Sequence, residues 1–174
     1  MRGFTIVETL VAVSLLTIAI VVPMSLASQS LSVSYYARDQ MIAFHLAQEA
    51  FETIREQRDT NILSIARGVG NPDLLGGIPA TDDSPFIVDA LTDVMTPCGA
   101  TCPALQTNGS LYGYNSGWTD TNFTRTVRAH YVGSGTNEVK VTVTVSWHTG
   151  AFQTRTVTIS ESFFRWVEDG SAAT

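Results

Sequence analysis

Between Glu8 and Arg38 the chain carries no charged residue, and from Thr9 to about Ala27 it is almost wholly apolar. At 1.5 Å per residue, a helix over that stretch reaches about 30 Å, the thickness of a bilayer core. Beyond Arg38 the pattern changes. Ile42, Leu46, Ala47, Ala50, Phe51 and Ile54 fall on one stripe of helical period, while Asp39, Gln48, Glu49, Glu52, Arg55, Glu56 and Arg58 largely take the other faces. One helix is therefore predicted from Phe4 to about Asp59, near 85 Å if continuous. Its first half is apolar all round and its second half amphipathic. Pro23 lies in the apolar half. It lacks a backbone donor and crowds the preceding turn, so a kink or local loosening is expected there.

Glycine and proline punctuate residues 60–122, which read as a long connection with one or two short elements. Phe86 to Met95 is predicted as a short helix, with Asp82, Asp83 or Ser84 near its start and Pro85 just inside it. Three strands with clear alternation follow. Phe123, Val127, Ala129 and Tyr131 share one face of the first, which runs to Val132. Gly133 to Asn137 makes a turn. Val139, Val141, Val143, Val145 and Trp147 line one face of the second, with Lys140, Thr142, Thr144, Ser146 and His148 opposite. After a turn at Thr149-Gly150, the third strand runs from about Phe152 to Phe163, with Val157, Ile159 and Phe163 inward. The amphipathic half of the helix needs an apolar surface, and this meander offers one. The predicted fold is thus α+β, a long N-terminal helix packed on a C-terminal antiparallel β-sheet. The last residues, 167–174, read as an exposed tail.

Charge narrows the function classes. The net charge is −6, with ten Lys and Arg residues against sixteen Asp and Glu. A general nucleic-acid surface would need clustered base, which the chain lacks. Arg2 precedes the apolar run and no Lys or Arg follows until Arg38, so the positive-inside rule leaves the N-terminus in the cytoplasm and the C-terminal domain outside. An ordinary cleaved secretory signal is the competing reading. The run is long for one and starts at once, and only Ser25-Leu26-Ala27 imitates a small-x-small cleavage site. An extracytoplasmic address favours a disulfide between Cys98 and Cys102, with two free thiols as the alternative. Metal binding has little support, because two Cys are few and His45, His130 and His148 show no ligand spacing.

One charged group stands at the head of the apolar run. A carboxylate within a membrane-spanning helix costs about 2.5–3.5 kcal/mol at its centre on insertion scales, so a chain that keeps Glu8 there needs a partner for it. The start of a helix also favours an acid through its dipole, which is the structural alternative. Arg2-Gly3-Phe4-Thr5-Ile6-Val7-Glu8 and the apolar run behind it resemble the N-terminal processing signal of type IV prepilins and type II secretion pseudopilins. The likeness covers roughly the first fifth of the chain. It implies cleavage between Gly3 and Phe4 by a prepilin peptidase, N-methylation of Phe4, and an assembly role for Glu8. The positive group offered to Glu8 is the Phe4 α-amine of a neighbouring subunit, which is cationic at neutral pH.

The resemblance also implies an organisation. Residues 1–3 form a cytoplasmic leader, 4–37 a transmembrane and polymerisation helix, and 38–166 an extracytoplasmic pilin-like domain. Its partners are other pilin or pseudopilin subunits, the prepilin peptidase, an inner-membrane assembly platform and membrane lipid, with no cofactor. Arg155-Thr-Val-Thr-Ile-Ser and the Val-rich strand before Trp147 look similar to minor pilins and I-type pseudopilins. Two other classes remain as alternatives. A membrane-anchored enzyme finds no Gly-x-Ser-x-Gly, HExxH or phosphate loop to rest on. An adhesive or DNA-uptake tip module on the same scaffold would need a local surface, for which Arg125, Arg128 and Arg155 are candidates, although three Arg on a sheet more often form a solvated face. Asp82, Asp83, Asp89 and Asp93 are conceivable calcium ligands without EF-hand spacing.

Overall fold

Helix α1 spans Ile6–Ala66, followed by eight strands: β1 Phe86–Asp89, β2 Val94–Pro97, β3 Gln106–Thr107, β4 Tyr112–Gly113, β5 Thr119–Asp120, β6 Phe123–Tyr131, β7 Glu138–Thr149 and β8 Gln153–Phe164. This computed structural model describes residues 3, 5–69, 73–80, 83–135, 137–149 and 153–164. Phe4, Asp82, Phe152, the tail 167–174 and parts of the turns expected at 133–137 and 149–150 lie outside the described residues. The chain divides into two units, Met1–Gln40 and Met41–Thr174.

The first unit is a single helical run. Its apolar side chains face outward, and none of its most apolar window is buried. Among the described residues this is the one helix long and apolar enough to cross a membrane. It continues as helix through Pro23. Three of its hydroxyls are bonded within the helix itself. Thr9 Oγ1 donates to the Ile6 carbonyl at 2.9 Å, Ser14 Oγ to Val11 at 2.8 Å and Thr17 Oγ1 to Ser14 at 2.8 Å. Back-bonding of this kind removes the free hydroxyl donors that hydrocarbon would penalise.

In the second unit the helix stripe becomes core. Ala43, Leu46, Ala47, Ala50, Phe51 and Ile54 are buried. The expected stripe included Ile42, which is only half-buried, and it omitted Ala43 and Thr53, which are buried. The helix ends at Ala66 rather than Asp59. Thr60 to Ala66 holds no breaker, and Gly68 supplies the stop. Gly68 takes a left-handed φ of 66°, its N–H donates to Ile65, and the Val69 N–H reaches Ser64. This 6→1 and 5→2 pair is a Schellman motif, and glycine is the residue that enters it without steric penalty.

The main sheet has the order β2-β1-β6-β7-β8, antiparallel throughout. Phe123 pairs with Trp147 and Val127 with Val143, which puts both apolar rows on the helix-facing side. Every one of Val139, Val141, Val143 and Val145 is fully buried. A small second sheet, β4-β3-β5, lies within the predicted connection.

The predicted helix at Phe86 to Met95 is instead the β1–β2 hairpin, with Phe86 opposite Pro97 and Asp89 opposite Val94. Two local facts decide against a helix. Phe86 and Val88 are both fully buried, the two-residue period of a strand. Asp89 then turns its carboxylate onto the following loop, accepting from the Leu91 N–H at 3.2 Å and from the Thr92 hydroxyl at 2.9 Å. An aspartate bonded in this way competes with helical pairing and closes a turn. Asp93 completes the turn at a φ of 55°.

Candidate functional site

The N-terminus of α1 is built on Thr5. Its hydroxyl accepts from the Glu8 N–H at 3.3 Å, and its carbonyl accepts from Glu8 and Thr9. Thr5 is thus the N-cap and Glu8 the third helical residue, the spacing of a capping box. The sequence reading assigned Thr5 no role. The Thr-x-x-Glu spacing was the available signal. The cap uses the Thr5 side chain and leaves the Glu8 carboxylate exposed. Among the described residues that carboxylate has no ion-pair partner. Gly3 is exposed, with open space around it, and Phe4 lies outside the described residues.

Glu8 therefore stands at the positive end of a helix dipole, one turn inside an exposed apolar surface. In water this is an undemanding position. Next to hydrocarbon the same carboxylate needs a cation or a proton. The Thr5 cap satisfies one of the helix's orphan N–H groups, that of Glu8, and does nothing for this charge.

The second predicted feature lies in the other unit. Cys98 and Cys102 form a disulfide, with a Cα–Cα distance of 5.0 Å. The Cys98 N–H donates to the Pro85 carbonyl at 2.8 Å, so the bridged turn is tied to the residue just before β1.

The three arginines offered as a surface patch are not brought together. Arg125 is wholly buried on the helix-facing side of β6, between Phe123 and Val127. Arg128 is on the opposite face and donates to the Asp83 carbonyl at 2.6 Å. Arg155 sits opposite Trp147 on β8. Arg125 is the residue whose importance the sequence reading missed. Its Nη1 donates to the Leu46 carbonyl and to Glu49 Oε2, both at 2.8 Å, and its Nη2 donates to the Val88 carbonyl at 2.5 Å. One guanidinium thus joins α1, β6 and β1. Tyr114, largely buried nearby, has its phenol pushed up from the ordinary value of 10.0, mainly by burial, while the Arg125 charge opposes the shift. The alternating position of Arg125 within the apolar row of β6 was the legible sign.

Among the described residues no three His, Cys, Asp or Glu side chains come together as a metal-binding group. Asp89 is spent on its turn, and Asp83 faces His130 Nδ1 at 3.3 Å. Compared with protein-family models, curated proteins and solved structures, the chain matches none.

Proposed function

We propose that this chain is a structural subunit of a type IV pilus or a pilus-like pseudopilus filament. The observation that carries the reading is Glu8, an exposed carboxylate without an ion-pair partner among the described residues, in the first turn of a helix whose N-terminal half carries no other charge and turns its apolar side chains outward. A helix of this kind is stable in a membrane or against other such helices, and the carboxylate then calls for a cation at one fixed height. The α-amine of Phe4, freed by cleavage after Gly3 and methylated, supplies that cation from a neighbouring subunit. Register along the filament follows, because a subunit displaced axially leaves both charges unpaired in a medium of low dielectric.

Before assembly the apolar half of α1 anchors the subunit in the inner membrane, with the second unit on the extracytoplasmic side. The disulfide suits that oxidising compartment. Partners are other pilin or pseudopilin subunits, the prepilin peptidase and an assembly platform. The likeness of 155–160 to minor subunits favours a priming role over bulk filament, and the chain carries no catalytic activity in this reading. A DNA-uptake role gains nothing from the arginines, since Arg125 is interior and Arg128 is on the other face.

The test is Glu8→Ala in cells that assemble the filament. Processing of the N-terminus continues while incorporation into filaments falls sharply. Unchanged incorporation removes the pairing role.

A further inference from the structure

The two edges of the main sheet differ in kind. On one side β2 is four residues long, stops at Pro97 and runs into the Cys98–Cys102 bridge. Short length and a terminal proline blunt an edge against pairing. On the other side β8 is twelve residues long. It contains no proline, and its register with β7 runs without interruption from Gln153 opposite Thr149 to Phe164 opposite Glu138. Among the described residues β8 pairs with β7 alone. Among the described residues, a strand so long and regular presents a row of backbone donors and acceptors on its outer side, guarded only by two charged side chains in its helix-facing row.

The side chains of β8 give that edge a chemistry. Cross-strand partners share a face, so Arg155, Val157, Ile159, Glu161 and Phe163 lie on the same side as Trp147, Val145, Val143, Val141 and Val139. Val145 and Val143 are fully buried, yet their partners Val157 and Ile159 are only half-covered. Ile159 and Glu161 also border an open groove of about 640 Å³ together with Phe44, Phe51 and Arg55. The apolar layer is thus unfinished along this edge. Its two charged members have opposite sign and flank the apolar pair, with Arg155 bonded to Gln153 and Glu161 to Arg55. The other face of β8 carries hydroxyls that already bridge to β7, Ser160 to Thr142 at 3.0 Å and Thr158 to Thr144 at 3.3 Å.

We infer that the outer edge of β8 receives an extended segment of a different protein subunit, added antiparallel as a sixth strand. That segment places an acid opposite Arg155, apolar side chains opposite Val157 and Ile159, a base opposite Glu161, and small hydroxyl residues between them. Read in its own direction it runs base, apolar, apolar, acid at alternate positions. Main-chain pairing supplies attachment, and the charge order fixes direction and register. The β8 sequence itself obeys this rule, since Arg155 falls opposite Glu161 and Val157 opposite Ile159 when two copies are laid antiparallel about Thr158. A second copy in that place would run helix stretch 41–66 in the opposite direction, which a polymer of aligned subunits excludes. That exclusion rests on the filament reading. The strand addition does not.

The self-complementary sequence provides the probe. A labelled peptide with the sequence of residues 154–162 is titrated into the full chain in detergent and followed by fluorescence anisotropy. It is compared with the same peptide carrying its Arg and Glu exchanged. The first peptide binds saturably, and the exchanged one binds roughly tenfold more weakly, because two attractive cross-strand pairs become two repulsive ones. Arg155→Glu, an exposed change, removes most of the preference. Absence of binding, or equal binding of the two peptides, overturns the proposal. Spontaneous disulfide-linked dimers of Thr158→Cys, with none for Thr154→Cys, would make the occupant a second copy and overturn its assignment to another subunit. None of these readouts depends on filament formation, so they fail or succeed separately from the role of Glu8.

Discussion

The guanidinium of Arg125 on β6 lies 2.8 Å from the Glu49 carboxylate on α1, and the arginine side chain is wholly buried while Glu49 is part-exposed. Two backbone carbonyls, of Leu46 and Val88, take further donors from the same group. This arginine holds the helix, the central sheet and the β1–β2 hairpin at one point.

Removing the charge there undoes the clamp. Arg125→Ala takes one donor each from the Leu46 and Val88 carbonyls, leaves Glu49 without its cation and opens a cavity between helix and sheet. Losing a large buried side chain and its hydrogen bonds in this way costs about 2–5 kcal/mol. Thermal unfolding of the sheet, followed by circular dichroism, shifts down by roughly 10 °C or more. Arg125→Met fills the space without the charge and loses less. Equal stability of Arg125→Ala and the parent chain contradicts the clamp.

Tyr114 predicts an alkaline limit. Burial raises its phenol above 10.0 in the folded chain. A group whose folded value is raised gives stability that is fully present below the unfolded value and is lost as pH rises through the folded one. Tyr114 therefore weakens the fold above about pH 10. Tyr114→Phe flattens the fall in unfolding free energy between neutral pH and pH 11, measured by denaturant titration, whereas a solvent-exposed tyrosine would leave that slope unchanged.

The disulfide makes a smaller contribution. Cys98 and Cys102 are four apart in sequence, and a loop of that size yields about 2 kcal/mol in the chain-entropy account. The double change to Ser lowers the unfolding temperature by a few degrees and leaves the fold intact. Its local mark is faster hydrogen exchange at the Cys98 amide, now bonded to Pro85.

Long, strongly periodic elements were legible in the sequence. The Val139 to Trp147 row and the Leu46 to Ile54 stripe repeat at the periods of a strand and a helix, and the structure buries both. Phe86 to Met95 was not, because a ten-residue stretch with mixed periodicity is decided by its neighbours. Val127 pairs with Phe86, and Asp89 folds back on its own turn. The helix end was misplaced because amphipathic patterning fades after Arg58, whereas helix formation continues until glycine permits the left-handed step at Gly68. Arg125 escaped for a different reason. A charged residue in an apolar row reads as surface unless its partners are known, and Leu46, Glu49 and Val88 are distant in sequence. At the N-terminus the Thr5-x-x-Glu8 spacing is the mark of a helix cap, and the apolar run that follows it is the stronger signal.

The central claim is that the chain is processed at its N-terminus to free a cation for Glu8. Intact mass of the mature protein, purified from membranes of a host containing a prepilin peptidase, tests it most directly. The account predicts loss of Met1, Arg2 and Gly3 together with the gain of one methyl group on Phe4. A mature chain that retains those three residues, or that begins beyond Ala27, contradicts it.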